Sequence, residues 1–207
     1  MTSAIDRTAW EQAWTGLGVS PPSPDEFGTL LTHYDEPHRA YHTRQHLAEC
    51  LDQLAQVRNL CDHPDEVALA LWYHDAIYKP RRSDNEDRSA DWLARVAEEA
   101  RVAPPTVQRM RDLILATRHE GLAETGDARV LVDIDLSILG APTARFEEYE
   151  RQVRREYRWV PNVLYQQSRS KIMHAFLRRP RIYSTDYFFE KLEGHARENV
   201  VRSLGGH

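Results

Sequence analysis

The stretch YHTRQH, residues 41–46, sets His42 and His46 four positions apart, and WYHDAI at 72–77 puts His74 beside Asp75. Neutral imidazole and carboxylate together suit Mn, Fe, Co, Ni or Zn, with Mg admissible when oxygen donors are numerous. On a helix, residues four apart share a face, so His42 and His46 point the same way. Adjacent residues diverge by about 100°, so one ion accepts both His74 and Asp75 only from the edge between them. A further donor is offered by VDIDLSILG, residues 132–140, where Asp133 and Asp135 stand in apolar sequence. A buried carboxylate without a partner is costly, and apolar flanks therefore ask for a cation or a basic neighbour. The residues alone leave the choice between Asp133 and Asp135 open.

Positioning such donors needs a fold. At 207 residues and 24.1 kDa the chain suits one domain that buries most of its apolar surface. Hydrophobic content of 41% and charged content of 29% are ordinary for a soluble globular protein. No apolar run approaches the ~20 residues of a membrane span. The N-terminal MTSAIDRTAWEQAW does not read as a signal peptide. Cys50 and Cys61 form neither a disulfide framework nor a C-x-x-C motif, so a reducing cytoplasm is the expected compartment. Net charge is −5, yet residues 145–181 hold nine Arg and one Lys against four Glu, a local +6. Glu–Arg pairs on solvated helix faces account for most of these, with a few arginines left as candidate anion contacts. The acidic whole argues against a general nucleic-acid surface.

Most segments show helical period. Trp10, Ala13, Trp14 and Leu17 form a stripe closed by Gly18. In SPDEF, residues 23–27, Ser23 reads as a cap, Pro24 as the first helical residue and Glu26 as the return arm of a capping box. Leu47, Cys50, Leu51 and Leu54 make another stripe, with His42 and His46 at its N-terminal end. The run from Pro64 reads as a buried helix carrying His74 and Asp75 near its end. Five more helical segments follow towards the C-terminus. Only ARVLVDIDL, 128–136, has a strand's composition, and a single strand would lack partners, so helix is expected there too. The expected fold class is all-α.

In this order, His, then His-Asp, then Asp, the chain resembles the HD superfamily of metal-dependent phosphohydrolases. YHTRQHLAECL is similar to the Y-H-N-x-x-H run of cyclic-nucleotide phosphodiesterases, with Thr43 in place of the Asn. WYHDAIY resembles the HD helix, and VDIDLSILG resembles the A-D-L or D-A-D-x-L stretch that completes the family's site. An HDAIY…DNE signature and a C-terminal RPRIY segment are similar to a small bacterial branch of the superfamily. The resemblance implies an HD-like helical bundle as one domain over 1–207, with a metal-site core at about 30–140 and extra helices from 141 onward. It implies His46, His74, Asp75 and Asp135 as ligands of one or two divalent ions, and His42 as general acid. Asp133 is left to a supporting or helix-end role.

The expected reaction is attack of metal-activated water on a phosphate ester or anhydride, of a nucleotide in the first instance. Four further residues carry a plain role beside a functional one. Glu86 caps a helix with Ser83, or orients the attacking water. Lys79 ends a helix before Pro80, or binds substrate phosphate. His119 offsets a helix dipole, or contacts phosphate. Arg181 sits at a helix terminus beside Pro180, or reaches the cleft. The rivals are a non-catalytic metal- or nucleotide-binding module and a di-iron oxygenase of HD type, which would need Glu86 or His119 as extra ligands. A dehalogenase-type D-x-D-x-S/T reading of VDIDLS requires alternating strands that the sequence lacks.

Overall fold

The computed structural model describes residues 5–118 and 126–205. Among these, ten α-helices form and no strand does. They are α1 (Arg7–Gly16), α2 (Pro24–Tyr34), α3 (Arg44–Val57), α4 (Pro64–Tyr73), α5 (Asn85–Glu99), α6 (Pro104–Ala116), α7 (Gly126–Asp135), α8 (Thr143–Glu156), α9 (Asn162–Arg178) and α10 (Asp186–Gly205). The ambiguous stretch 128–136 is helical through Asp135 and continues as a 3-10 turn, Leu136–Gly140. None of the described helices is long and apolar enough to cross a membrane. The chain divides into two compact units, one up to Ile134 and one from Asp135 onward, so the boundary falls at the last residue of α7.

The first unit is organised on α4. Every residue from Glu66 to Tyr73 is buried, and the helix packs against α1, α3, α5 and α6. A helix apolar on all sides is stable only when enclosed, and each fully buried Val or Leu on it contributes about 1.5–3 kcal/mol. Enclosure fixes where α4 ends, and His74 and Asp75 follow at that end. Two N-terminal signals work differently from expectation. Ser23 caps α2 without a side-chain bond, and Glu26 closes no capping box. Its carboxylate turns inward to accept the Tyr73 hydroxyl at 3.2 Å and the Trp92 indole N–H at 2.7 Å. Buried phenol and indole donors need acceptors, and that demand outweighs a cap that water can replace. The N-cap of α5 is Asp84 rather than Ser83, also without a side-chain bond.

In the second unit α10 lies against the 3-10 turn, α8 and α9. Asn199 donates to the carbonyls of Leu139 (2.9 Å) and Ala141 (2.8 Å), fixing the turn to the helix. A Cβ on Gly140 would stand 2.6 Å from Leu192 Cβ, which is why this approach needs glycine. The RPRIY segment is held by Glu193, which accepts the backbone N–H groups of Ile182 and Tyr183. In the basic stretch Arg145 meets Glu148, Arg169 meets Glu150 and the Tyr149 hydroxyl, and Arg154 donates to the Tyr157 and Val160 carbonyls.

Candidate metal centre

His46 lies on the buried face of α3, one turn into the helix, and is 2% exposed. The helix begins at Arg44, capped by Thr43, whose hydroxyl accepts Gln45 N–H at 3.3 Å. His42 therefore stands before the helix, in a turn, and the shared-face expectation for His42 and His46 does not hold. With Thr43 as N-cap, the helix starts too late to include His42. The two rings nevertheless lie with centroids 6.0 Å apart, and the His42 ring stacks on Tyr78 at 4.0 Å. The partner that does lie four residues along the helix from His46 is Cys50, also buried.

His74 is the C-cap of α4 and Asp75 lies in the turn beyond it, so neither belongs to the regular helix and the 100° divergence does not separate them. Asp75 Oδ2 is 3.1 Å from His74 Nε2 and 3.5 Å from His46 Nε2. The two Nε2 atoms are 3.2 Å apart. His74 Nδ1 is 2.7 Å from the Leu71 carbonyl, which can only accept, so Nδ1 donates there and Nε2 faces the cluster. Burial alone would raise the Asp75 carboxyl, but His74, His42 and His46 around it more than offset that and hold it well below the usual carboxylate range.

Near the start of α7, Asp127 accepts the Asp62 and His63 backbone N–H groups at 2.7 and 3.0 Å, just where α4 begins. Within the first unit, one ligand atom each from His46, Cys50 and His74 lies within 4.8 Å of the others, and Asp135 is the first residue of the second unit. Asp133 is wholly buried and is not part of this group. The donor set fits a divalent transition ion: two imidazoles and the Asp75 carboxylate at coordination spacing.

Two loops carry the site, and they are clasped. Arg39 has a fully buried side chain. Its Nη1 donates to the carbonyls of His42 (3.0 Å) and Asp75 (2.7 Å), and Nη2 donates to that of Ala76 (3.0 Å). Glu36 Oε2 accepts from Arg39 Nη2 at 3.2 Å, and the guanidinium lies between the Tyr34 and Tyr78 rings. His38 Nε2 meets the Tyr78 carbonyl at 2.7 Å. From the other side, Asn85 accepts Lys79 N–H and donates to Lys79 O, and the Ser89 hydroxyl accepts Ile77 N–H. Sequence reasoning missed Arg39 and Cys50. Cys50 had a signal, its spacing from His46; Arg39 had none, because its partners are backbone atoms distant in sequence.

The remaining candidates stand apart from the cluster. Lys79 pairs with Glu36 at 2.6 Å and is 47% exposed. Glu86 lies in the first turn of α5, half-buried. Arg181 belongs to the second unit, where it pairs with Asp186 at 2.9 Å and covers the Phe189 ring. His119 lies outside the described residues. In comparisons with known proteins, no family model, curated protein or solved structure matches the chain.

Proposed function

We propose that this protein is a metal-dependent phosphohydrolase acting on a phosphate ester or anhydride of a small molecule, with a nucleotide the first candidate. The observation that carries the reading is the convergence of His46 Nε2, His74 Nε2 and Asp75 Oδ2 within 3.5 Å of one another. His46, His74, Asp75 and Asp135 would hold one divalent ion. When bound, such an ion supplies Lewis acidity, lowering the pKa of water and offsetting charge on a phosphoryl oxygen.

The chain's own residues do the rest. The Leu71 carbonyl keeps His74 Nε2 facing the cluster, and Asp75 stays ionised among the imidazoles. His42 is half-buried, steadied by Tyr78 and close to His46, and it holds the proton that the departing oxygen takes. Lys79, one residue beyond Tyr78, would exchange Glu36 for a substrate phosphate oxygen.

The test compares two histidines on protein stripped of metal and reloaded. His46→Ala should lose bound metal and hydrolysis together. His42→Ala should keep its metal and lose rate by about 10²–10⁴-fold, less for leaving groups such as p-nitrophenolate that need no proton. Stoichiometric metal on the wild type with no hydrolysis across a panel of nucleotides and phosphoesters would overturn the proposal.

A further inference from the structure

The imidazole and carboxylate groups leave one member of the cluster without a function. Cys50 Sγ lies 3.7 Å from both ring nitrogens of His46, and it falls within the same 4.8 Å group as His74. Donors about 2.0–2.1 Å from a tetrahedral zinc stand roughly 3.3–3.4 Å apart, and a sulfur at about 2.3 Å stands roughly 3.6 Å from a nitrogen. The observed spacings are 3.2 Å between the imidazole nitrogens and 3.7 Å from sulfur to His46 Nε2. These are the separations that two nitrogens and a sulfur would keep around one tetrahedral ion. The chain's other cysteine, Cys61, lies beyond α3, with its sulfur at 4.0 Å from the Val57 carbonyl.

We infer that Cys50 is a thiolate ligand of this centre, giving it a His46, His74, Cys50 and carboxylate donor set that selects zinc over manganese and magnesium. The inference rests on the metal-centre reading above and adds a ligand to it. Thiolate is a soft donor that favours zinc, whereas carboxylate and water suit magnesium and manganese. As the metal enters, the S–H bond breaks, the electron pair stays on sulfur to form the metal bond, and the proton leaves to solvent. The spacing on α3 makes this inexpensive, because residues 46 and 50 already share a helix face and only χ1 of Cys50 must be set.

The test uses cobalt(II) as the probe on the full chain. Sulfur bound to cobalt gives an intense near-ultraviolet charge-transfer band that nitrogen and oxygen ligands do not. Wild type and Cys61→Ser should both show it on binding one equivalent of cobalt, and Cys50→Ser should not. Zinc affinity of Cys50→Ser should fall at least by the roughly 10–100-fold that loss of a mere outer-shell partner costs, with manganese affinity changing less. Cys61→Ser keeps Cys50 as its single thiol, so the result does not depend on Cys50→Ser folding. Cobalt bound to Cys61→Ser without the band would overturn the thiolate ligand and leave the metal centre standing. Failure of wild type to bind cobalt, zinc or manganese would overturn both.

Discussion

Replacing Arg39 by methionine keeps a long apolar stem and removes the guanidinium that joins residues 36–43 to residues 75–76. Removing one partner of a buried ion pair costs about 3–5 kcal/mol, chiefly through the charge left behind. Glu36 remains 23% exposed and keeps its bond to Lys79, so the lower end of that range applies. The carbonyls of His42, Asp75 and Ala76 also lose the donor that Arg39 gives them, and a buried acceptor left unsatisfied costs about 1–3 kcal/mol. In a rigid structure these contributions would reach about 6 kcal/mol or more, and relaxation of the two loops brings the expected loss to about 4 kcal/mol. For a chain of this size each kcal/mol moves Tm by about 2–4 °C, so Arg39→Met should melt roughly 8–16 °C lower. Arg39→Lys retains the charge but not the fork, and should fall between the two. Urea unfolding of metal-stripped protein followed by tryptophan fluorescence is the assay, because Trp10, Trp14, Trp72 and Trp92 all lie in the first unit. At temperatures where the variant is folded, metal affinity should drop by about 10–100-fold, as for other residues that orient ligands. A stability within 1 kcal/mol of wild type would refute the claim that the guanidinium holds the loops together.

Two further expectations follow from other parts of the structure. Burial works to raise the Glu36 carboxyl, but the Lys79 hydrogen bond and the Arg39 and Lys79 charges outweigh it and hold it below its ordinary value of 4.5. Folding therefore gains stability from Glu36 that is complete above the ordinary carboxylate range and lost as pH falls through it, and Glu36→Gln should flatten the acid limb of a urea-midpoint profile measured from pH 6 to 3. In the second unit, Gly140→Ala forces a methyl against Leu192 Cβ and should cost about 1–3 kcal/mol in thermal unfolding, with no loss meaning that the turn shifts freely.

Helical period made the architecture legible. α4 announced itself by an unbroken apolar run, and the β-branched stretch at 128–136 could be assigned by asking where a lone strand would find partners. Where the reading went astray, the sequence carried two signals of equal strength. Ser23 and Glu26 satisfy a capping-box pattern, yet Glu26 serves Tyr73 and Trp92, which lie 47 and 66 residues away. Local grammar describes what a side chain can do with its neighbours in sequence. It is silent about a buried phenol or indole that needs the same oxygen.

The same limit shaped the site. His46, His74 and Asp75 are recognisable by type and order, but what brings them together lies outside the helices. His74 and Asp75 meet His46 because α4 stops at Tyr73 and the chain turns. That turn is held through its carbonyls, by Arg39 on one side and by Asn85 and Ser89 on the other. A bond to a carbonyl leaves no trace in the residue that supplies it, since every residue has one. Only the donor could reveal it, and an arginine five residues past a helix end looks like any solvated charge. Cys50 was the opposite case: its spacing from His46 was in plain view, but a small apolar residue on an apolar stripe is fully explained by packing until the second histidine is placed opposite it. The residues of the cluster could be read by their kind, whereas those that aim them had to be seen in space.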